Sequence, residues 1–313
     1  METRIIVKND SASGDIPLWL YNTLPDKVKN SIGRVEKEKI TYLSEIRLRT
    51  DAFCTLTCGG ETVILYDNIK VLKLCEKEID NFLHRVCNGS VYSHENSIAQ
   101  GFITVNGVRI GISGVVTLKN GVVSGFSKIR SINIRIPHHI ENCADKLLCY
   151  INATPYSKLG GILVASAPGV GKTTVLRELA VKLSTGNKSL YRVCVVDERC
   201  EIYMPKLFNN SCADIFSGIP KNKGIEYASR LMNPQFIIFD EIGSDTDVHS
   251  ILSAHFGGSV FISSVHASSP DTITKKNMIR TLCDEGVFSH IFFLERTGNT
   301  VKTSLHHIGR MQV

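Results

Sequence analysis

Short apolar runs and helix-like stretches alternate along the second half of the chain. Four apolar runs lie at 161–165, 193–196, 236–239 and 260–263, with amphipathic segments between several of them. A continuous apolar run bounded by turn residues is typical of a strand that is buried on both faces of a parallel sheet. This half is therefore predicted to form an α/β domain around a largely parallel sheet.

The first half of the chain has a different pattern, in which short strands predominate. Strands are predicted at 45–49, 62–66, 102–105, 108–112, 115–118 and 131–136. Asn106-Gly107 separates two of them and is a strong signal for a tight hairpin turn. One amphipathic helix is predicted at 77–88, where the apolar residues fall on one face. The first half is therefore predicted to be an α+β domain.

The length of the chain also indicates two domains. The chain has 313 residues, and one domain ordinarily takes roughly 100–200 residues. The segment 152–157, Asn-Ala-Thr-Pro-Tyr-Ser, has the composition of a connection between domains. We therefore predict a smaller α+β domain over residues 1–155 and an α/β domain over residues 156–313.

The charge of the chain is nearly balanced overall but uneven locally. The 36 Lys and Arg residues and the 30 Asp and Glu residues give a net charge of +6, which indicates no polybasic tail. However, no acidic residue lies between Glu95 and Glu141, a segment with five basic residues: Arg109, Lys119, Lys128, Arg130 and Arg135. They are either solvated charges on an ordinary sheet or a basic surface that faces phosphates. The sequence leaves both interpretations open.

The cysteines and the apolar content indicate a cytoplasmic protein. The chain has ten cysteines but no C-x-x-C pair, and only Cys54 and Cys58 are closely spaced, which argues against a zinc site. We expect free and mostly buried thiols in a reducing compartment. The first residues lack the apolar core of a secretory signal, and no window is long and apolar enough to span a membrane. Membrane contact is therefore expected to be peripheral.

A glycine-rich loop follows the first apolar run of the second half. The segment Ala167-Pro168-Gly169-Val170-Gly171-Lys172-Thr173-Thr174 leads from this run into a helix-like stretch. Glycines let successive backbone N–H groups converge on phosphate oxygens, and the helix N-terminus adds its dipole. In this pattern, Lys172 bridges the terminal phosphates and the Thr173 hydroxyl binds Mg²⁺. The segment 167–174 is therefore the predicted phosphate-binding loop of a nucleotide site.

One position departs from the usual form of this loop. The pattern begins with Gly, and here that position holds Ser166. Serine fits if its φ is negative, whereas a positive φ would strain the backbone. This departure would reduce the affinity of the loop for nucleotide.

Two carboxylates follow the third apolar run. Asp240 and Glu241 come directly after the run at 236–239, and ligands of open α/β sheets bind beyond the carboxyl ends of the strands. In phosphoryl transfer, residues of this type hold the metal ion and polarise the attacking water. We predict that Asp240 holds Mg²⁺ through a water molecule and that Glu241 activates the attacking water.

A second acidic strand end lies at Asp197-Glu198-Arg199, directly after the run at 193–196. Glu198 could share or take over the activation of water, and Arg199 could pair with a carboxylate. Taken alone, the segment is equally typical of a capped strand end. The sequence therefore leaves open whether Glu198 or Glu241 is the general base.

A histidine, His266, lies just after the fourth apolar run. This run is the next predicted strand along the chain after the one that ends at Asp240. A single histidine at a strand end is usually structural, but His266 stands where a residue that senses the terminal phosphate would lie. The predicted catalytic residues are Lys172, Glu241, Glu198 and His266. The predicted metal ligands are Thr173 and Asp240.

Together these segments resemble the secretion ATPases of the type II, type IV and pilus-motor systems. Residues 230–243 are similar to that group's strand ending in Glu-Ile-Gly, and residues 257–268 to its histidine motif. Within the group, the chain most resembles the stage III sporulation protein AA family. This closer resemblance lies in the segments 45–49, 100–114, 196–199 and 239–243.

The resemblance implies a RecA-like P-loop ATPase domain, preceded by a smaller N-terminal domain. It implies a homo-oligomeric ring, a hexamer, that hydrolyses ATP with Mg²⁺ in the mother-cell cytoplasm of an endospore-forming bacterium. The ring would contact the membrane through the membrane proteins of a sporulation channel complex, whose assembly or transport it would energise. Arg109, Arg130 and Arg135 would then reach phosphates of their own or a neighbouring subunit.

Two other functions are compatible with the same core. A single-stranded nucleic-acid-dependent ATPase or translocase needs a basic groove with aromatic residues, and residues 101–140 contain only Phe102 and Phe126. A scaffold that binds nucleotide without hydrolysing it would be compatible with Ser166, but the presence of Lys172 and Glu241 argues against it. We therefore expect an ATPase that forms no stable complex with nucleic acid.

Overall fold

Two compact units make up the described part of the chain. A computed structural model describes residues 16–89, 95–136, 142–186, 189–297 and 300–308. Within these ranges, one unit comprises residues 16–136 and the other residues 142–308. Each unit has its own buried apolar core.

The first unit is an antiparallel sheet with short helices. Its helices are α1 (Leu18–Thr23), α2 (Asp26–Ile32), α3 (Lys37–Ile40), α4 (Glu76–Val86) and α5 (Glu95–Ala99). Its strands are β1 (Leu43–Arg49), β2 (Thr55–Cys58), β3 (Glu61–Ile64), β4 (Tyr66–Asp67), β5 (Lys70–Val71), β6 (Phe102–Val105), β7 (Val108–Lys119) and β8 (Val122–Arg135). Six strands form one antiparallel sheet in the order β3-β2-β1-β8-β7-β6, and β4 pairs with β5.

Helix α4 contributes one apolar face to the core of this unit. Ile79, Phe82, Leu83 and Val86 are buried there with the inward-facing residues of β1. The Glu78 carboxylate accepts a hydrogen bond of 2.8 Å from the backbone N–H that precedes the helix, which caps its N-terminus. The helix predicted at 77–88 is thereby confirmed, with slightly different ends.

Strands β7 and β8 form a longer hairpin than the sequence pattern predicts. We expected separate strands at 108–112 and 115–118, but β7 is continuous and pairs with β8 along its length. The register shifts between Ser113 and Gly114 and again further along, and each shift breaks the simple alternation of side chains between the faces. The turn is Asn120-Gly121, in which both residues have positive φ, as in other Asn-Gly hairpins.

The second unit contains the remaining helices and strands. Its helices are α6 (Asp145–Ala153), α7 (Lys172–Thr185), α8 (Pro205–Phe208), α9 (Lys221–Tyr227), α10 (Asp245–His255) and α11 (Asn277–Asp284). Its strands are β9 (Gly161–Ser166), β10 (Val193–Asp197), β11 (Asp214–Ser217), β12 (Phe236–Phe239), β13 (Val260–His266), β14 (Phe288–Thr297) and β15 (Thr300–His307). No helix in the described ranges is both long enough and apolar enough to cross a membrane.

The strands of the second unit form one largely parallel sheet. Their order is β11-β10-β12-β13-β9-β14-β15. All neighbouring strands are parallel except β14 and β15 at one edge, which form an antiparallel pair. The parallel α/β sheet predicted for this half is confirmed, because each of the four predicted apolar runs is one of its strands.

Helices cover both faces of this sheet. Along β9, Ile162 and Val164 belong to the core on one face, and Leu163 and Ala165 to the core on the other. Helices α6 and α7 contribute to the first core, and α9, α10 and α11 to the second. Since both faces are buried, β9 is apolar at every position from Ile162 to Ala165 and shows no alternation there.

The second unit begins earlier in the chain than the segment 152–157 suggested. Helix α6 buries Leu147 and Ile151 in a core that it shares with α7. The Glu178 carboxylate on α7 accepts a hydrogen bond of 2.7 Å from the backbone N–H of Ala144. The division between the units therefore falls before α6, whereas the sequence-based boundary lay after it.

All ten cysteines are free thiols, but fewer of them are buried than we expected. The buried ones are Cys54, Cys58, Cys87 and Cys194. Three are exposed, and they are Cys75, Cys149 and Cys212. The expectation of mostly buried thiols is therefore wrong, because only four of the ten are buried.

Gly161 allows β9 to lie closely between its two neighbouring strands. A Cβ atom at this position would stand 2.2 Å from the carbonyl oxygen of Val287 and 3.0 Å from that of Phe261. We expect Gly161→Ala to lower the free energy of unfolding by about 2 kcal/mol or more, because backbone atoms of a packed sheet cannot move aside.

Urea denaturation followed by circular dichroism measures this effect. The control is Gly243→Ala, whose Cβ would meet only the end of the Asp247 side chain, at 4.0 Å. The control should stay within about 0.5 kcal/mol of the wild type. Equal stability of the two variants would contradict the packing described for Gly161.

Candidate active site

The predicted site residues lie at the carboxyl ends of adjacent parallel strands. Strands β9, β13, β12 and β10 are neighbours in this order. Ser166 at the end of β9 lies opposite His266 at the end of β13. Phe239 of β12 lies opposite Val196 of β10, so the acidic segments that follow these two strands are neighbours as well. One edge of the sheet therefore carries the glycine-rich loop, the histidine and both acidic segments.

The loop between β9 and α7 has a backbone that requires its glycines. Gly169 has a φ of 74° and Gly171 a φ of 122°, and residues with side chains rarely adopt these values. Helix α7 begins directly after them, at Lys172, and has 14 residues. Its first N–H groups have no partners within the helix and are available to an anion in the loop.

Ser166 begins the loop without backbone strain. It is the last residue of β9, it is fully buried, and its φ is not positive. Its hydroxyl lies 2.8 Å from the carbonyl oxygen of Ala167, to which it donates. The missing glycine therefore leaves the backbone of the loop unstrained.

The Lys172 ammonium is buried among neutral acceptors. Its Nζ lies 3.3 Å from the Ser166 carbonyl oxygen and 2.8 Å from His266 Nδ1. Burial lowers the pKa of Lys172, an effect that the charge of Glu241 opposes and that of Lys276 increases. Within the described part of the chain no carboxylate pairs directly with Lys172, so its charge is available to an anionic ligand.

His266 connects Lys172 to Glu241. An ammonium group can only donate, so His266 Nδ1 accepts and the ring proton lies on Nε2. Nε2 lies 3.2 Å from Glu241 Oε2, which is an ion-pair distance without hydrogen-bond geometry. The ring of His266 therefore lies between the Lys172 ammonium and the Glu241 carboxylate.

Asp240 is buried at the end of β12 without hydrogen-bond donors. It is 7% exposed, and neither carboxylate oxygen accepts a hydrogen bond from the described residues. Lys221 Nζ lies 2.8 Å from Oδ1, which is an ion-pair distance without hydrogen-bond geometry. Burial raises the pKa of Asp240 to about 6, and the charges of Lys221 and Arg199 oppose the rise. A buried carboxylate with unused oxygens fits a hydrated divalent cation.

Lys221 is a cation of this site that the sequence did not reveal. It is the first residue of α9, and its Nζ lies 3.7 Å from Glu198 Oε2 and 4.0 Å from Asp247 Oδ2, in addition to Asp240. No motif marks Lys221 in the sequence. The sequence does contain a signal at Asp247, because Ser244 and Asp247 form the capping box that starts α10. That signal predicts the start of a helix and not a contact with Lys221.

Asp197 is committed to the backbone of its own loop. Its Oδ1 accepts from the N–H of Glu201 and its Oδ2 from the N–H of Ile202, both at 2.9 Å. Arg177 of α7 binds the same loop by donating to the carbonyl oxygens of these two residues, at 2.5 and 3.0 Å. Of the acidic pair after β10, Glu198 is therefore the member whose carboxylate reaches the other site residues.

Similarity to known proteins extends over nearly the whole chain. The family model "Sporulation stage III, protein AA" matches residues 19–307. Stage III sporulation protein AA of Bacillus subtilis (strain 168) is 31% identical over 286 residues, which cover 88% of this chain and 90% of that protein. The chain belongs to the sporulation stage III protein AA family. The family resemblance noted in the motifs is thereby confirmed.

Solved structures similar to this family member include an ATPase and a pilus retraction motor. The ATPase DotB of Legionella pneumophila aligns with a TM-score of 0.57 at 15% identity, over 84% of this chain and 75% of that chain. The pilus retraction motor PilT with bound ADP aligns with a TM-score of 0.56 at 16% identity, over 86% and 80% of the two chains. At these identities the likeness shows the fold alone. It confirms the predicted RecA-like P-loop domain with a smaller α+β domain before it.

Three of the five basic residues between Glu95 and Glu141 have partners within the first unit of this family member. Arg135 Nε lies 3.3 Å from Glu45 Oε1, and Lys128 forms an ion pair with a glutamate of α4. The Arg109 guanidinium lies 4.1 Å from the ring centroid of Phe102. For these three residues the interpretation as an ordinary charged sheet accounts for the local contacts. A contact with phosphates stays a hypothesis.

The pKa of Asp240 predicts how stability depends on pH. Its ordinary value is 3.8 and its value in the folded chain is about 6, so the folded state binds a proton more readily than the unfolded state. As the pH falls through about 6, the wild type should gain stability relative to Asp240→Asn. The expected gain is roughly 1 kcal/mol between about pH 7.5 and about pH 5.

Urea titrations of both proteins, in EDTA and without nucleotide, measure this difference. The Asp240→Asn variant serves as the reference because all other titrating groups are common to both proteins. A stability difference that stays constant over this pH range would contradict the burial of an ionisable Asp240.

Proposed function

We propose that this chain is a Mg²⁺-dependent ATPase of the secretion type that acts during endospore formation. The observation that carries the proposal is the chain of contacts from Lys172 through His266 to Glu241 beside the glycine-rich loop. It links the group that would bind the terminal phosphate to a carboxylate that can activate water. Membership of the sporulation stage III protein AA family supports the role in sporulation.

The loop at 167–174 would hold the phosphates of ATP. Its backbone N–H groups and the N-terminus of α7 are donors, and Lys172 supplies a buried positive charge. A terminal phosphate would replace the neutral acceptors that Lys172 contacts, because a charge-assisted hydrogen bond is stronger than one to a carbonyl or imidazole. This exchange would release His266 Nδ1 from Lys172.

Thr173 and Asp240 are the residues that would hold Mg²⁺. The Thr173 hydroxyl would bind the ion directly, and Asp240 would bind it through water. No cluster of three His, Cys, Asp or Glu side chains in the described ranges forms a metal site, so phosphate oxygens and water would complete the coordination. When bound, the ion neutralises charge on the phosphates.

Glu241 is favoured over Glu198 as the general base. The Glu241 side chain is 29% exposed and lies 3.2 Å from Nε2 of His266, whose other nitrogen contacts Lys172. The cation nearest to Glu198 is instead Lys221. A general base must lie within reach of the water that attacks the terminal phosphate, and Glu241 has the more direct connection to the phosphate-binding lysine.

The assembly and the cellular role are also part of the proposal. We infer a homo-oligomeric ring, a hexamer, in the cytoplasm of the mother cell. The ring would energise assembly of a membrane channel complex, or transport through it, and would contact the membrane through proteins of that complex. The name of the Bacillus subtilis relative supports the link to sporulation.

Two substitutions separate binding from hydrolysis. We expect Lys172→Ala to lose ATP binding, because the terminal phosphates lose their cation. Glu241→Gln should keep binding but slow turnover by at least about a hundredfold, since general base catalysis typically contributes that much or more. Phosphate release and the binding of a fluorescent ATP analogue, both with Mg²⁺, measure the two effects.

Glu198→Gln is the matched comparison for Glu241→Gln. It neutralises a carboxylate at the same edge of the sheet, and we expect it to slow turnover less. A greater loss for Glu198→Gln would assign the base to Glu198. Absence of phosphate release by the wild type would contradict the proposal, and release only with single-stranded DNA would favour the nucleic-acid-dependent ATPase.

Ring formation is tested by size-exclusion chromatography with light scattering. We expect the mass of a hexamer with Mg²⁺ and a nonhydrolysable ATP analogue, because secretion-type ATPases close their sites between subunits. Lys172→Ala under the same conditions is the control for an effect of bound nucleotide. A monomeric mass at every protein concentration, with the analogue bound, would contradict the ring.

A further inference from the structure

One ammonium group contacts the acidic segments that follow two different strands. Lys221 Nζ donates to the carbonyl oxygen of Glu241 and lies 2.8 Å from Asp240 Oδ1, so it contacts both residues after β12. It also lies 3.7 Å from Glu198 Oε2, after β10, and 4.0 Å from Asp247 Oδ2 on α10. Three elements of the unit thus share a single cation.

The position of Lys221 is restricted by burial and by the packing of its helix. The residue is 5% exposed, and a buried charge is retained in proteins when it is paired. Helix α9 also approaches β10 very closely. A Cβ atom at Gly224 would stand only 2.3 Å from Val196 Cγ1. The helix that carries Lys221 therefore packs directly against the strand that precedes Glu198.

Lys221 and Lys172 act on different parts of the same acidic pair. Lys172 reaches the Glu241 carboxylate through His266, whereas Lys221 binds the Glu241 backbone and the Asp240 carboxylate. Lys221 thus binds the peptide that joins Glu241 to Ile242, while the Glu241 carboxylate lies at His266. Without the ammonium, the carboxylates of Asp240, Glu198 and Asp247 would lose the cation that all three share.

We propose that Lys221 is a positioning residue for ATP hydrolysis, an inference that rests on the proposed function. It holds the Asp240 carboxylate and the Glu241 backbone in place, so that Glu241 stays directed toward His266. It also keeps the segments after β10 and β12 together. Lys221 contacts neither the nucleotide nor the attacking water in this role, and it acts through Asp240, which would hold the metal ion, and Glu241, which would activate the water.

The kinetic test compares Lys221→Met with Lys221→Arg. Methionine keeps the length of the side chain and removes its charge, so kcat should fall at least about tenfold, as expected when catalytic groups are slightly misplaced. The KM for Mg·ATP should change less than about twofold, because the phosphate loop is untouched. Arginine restores the charge and should recover part of kcat. Steady-state phosphate release gives both constants.

The control is Lys223→Met, two residues further along the same helix. Lys223 pairs with Glu226 at 3.1 Å and its side chain is 56% exposed, so its loss should leave kcat unchanged. A kcat of Lys221→Met equal to that of the wild type would overturn the proposal. A purely structural effect would also overturn it. In that case nucleotide binding and the melting temperature of Lys221→Met would fall together with kcat, and Lys221→Arg would recover none of the lost kcat.

A double-mutant cycle tests the inference even if the wild type shows no turnover. Lys221→Met should lower the melting temperature because Asp240 loses its cation, while Asp240→Asn removes the need for one. The double variant should therefore melt no lower than Lys221→Met alone. Additive losses would overturn the role of Lys221 in holding Asp240. If the wild type shows no turnover but the cycle is non-additive, the proposed function is overturned, while the contact between Lys221 and Asp240 is supported.

Discussion

The parallel register of four strands is the constraint on which the site depends. Because β9, β13, β12 and β10 run in one direction, the loops at their carboxyl ends meet at one edge of the sheet. The pairing of Ser166 with His266 brings the phosphate loop to the histidine. A shift of this register by one residue would turn the side chains to the other face of the sheet. The catalytic proposals therefore depend first on how the sheet is paired.

Much of the fold was predictable because its signals are local. Apolar runs, glycine turns and the amphipathic α4 depend on neighbouring residues, and their positions agree with the structure. The long hairpin of β7 and β8 was only partly predicted, because register shifts interrupt its alternation. Helix α6 was assigned to the wrong side of the boundary, since its partner α7 lies about thirty residues further along the chain. Packing between distant segments is not visible in a local pattern.

The site shows the same division between local motifs and distant contacts. The residues predicted from motifs, including Lys172, Asp240 and His266, lie together at one edge of the sheet. Lys221 was missed because only the three-dimensional fold brings α9 to the ends of β10 and β12. Asp197 belongs to an acidic motif, but its carboxylate is used by the backbone of its own loop. A motif identifies the residue types, and the fold decides which of them face a ligand.

The central claim is that the loop at 167–174 binds the phosphates of a nucleotide through Lys172. A crystal structure with Mg²⁺ and a nonhydrolysable ATP analogue tests it most directly. We predict a terminal phosphate oxygen within hydrogen-bond distance of Lys172 Nζ, with the contact between Nζ and His266 Nδ1 broken. Phosphates bound elsewhere, with Lys172 Nζ still 2.8 Å from His266 Nδ1, would contradict the account.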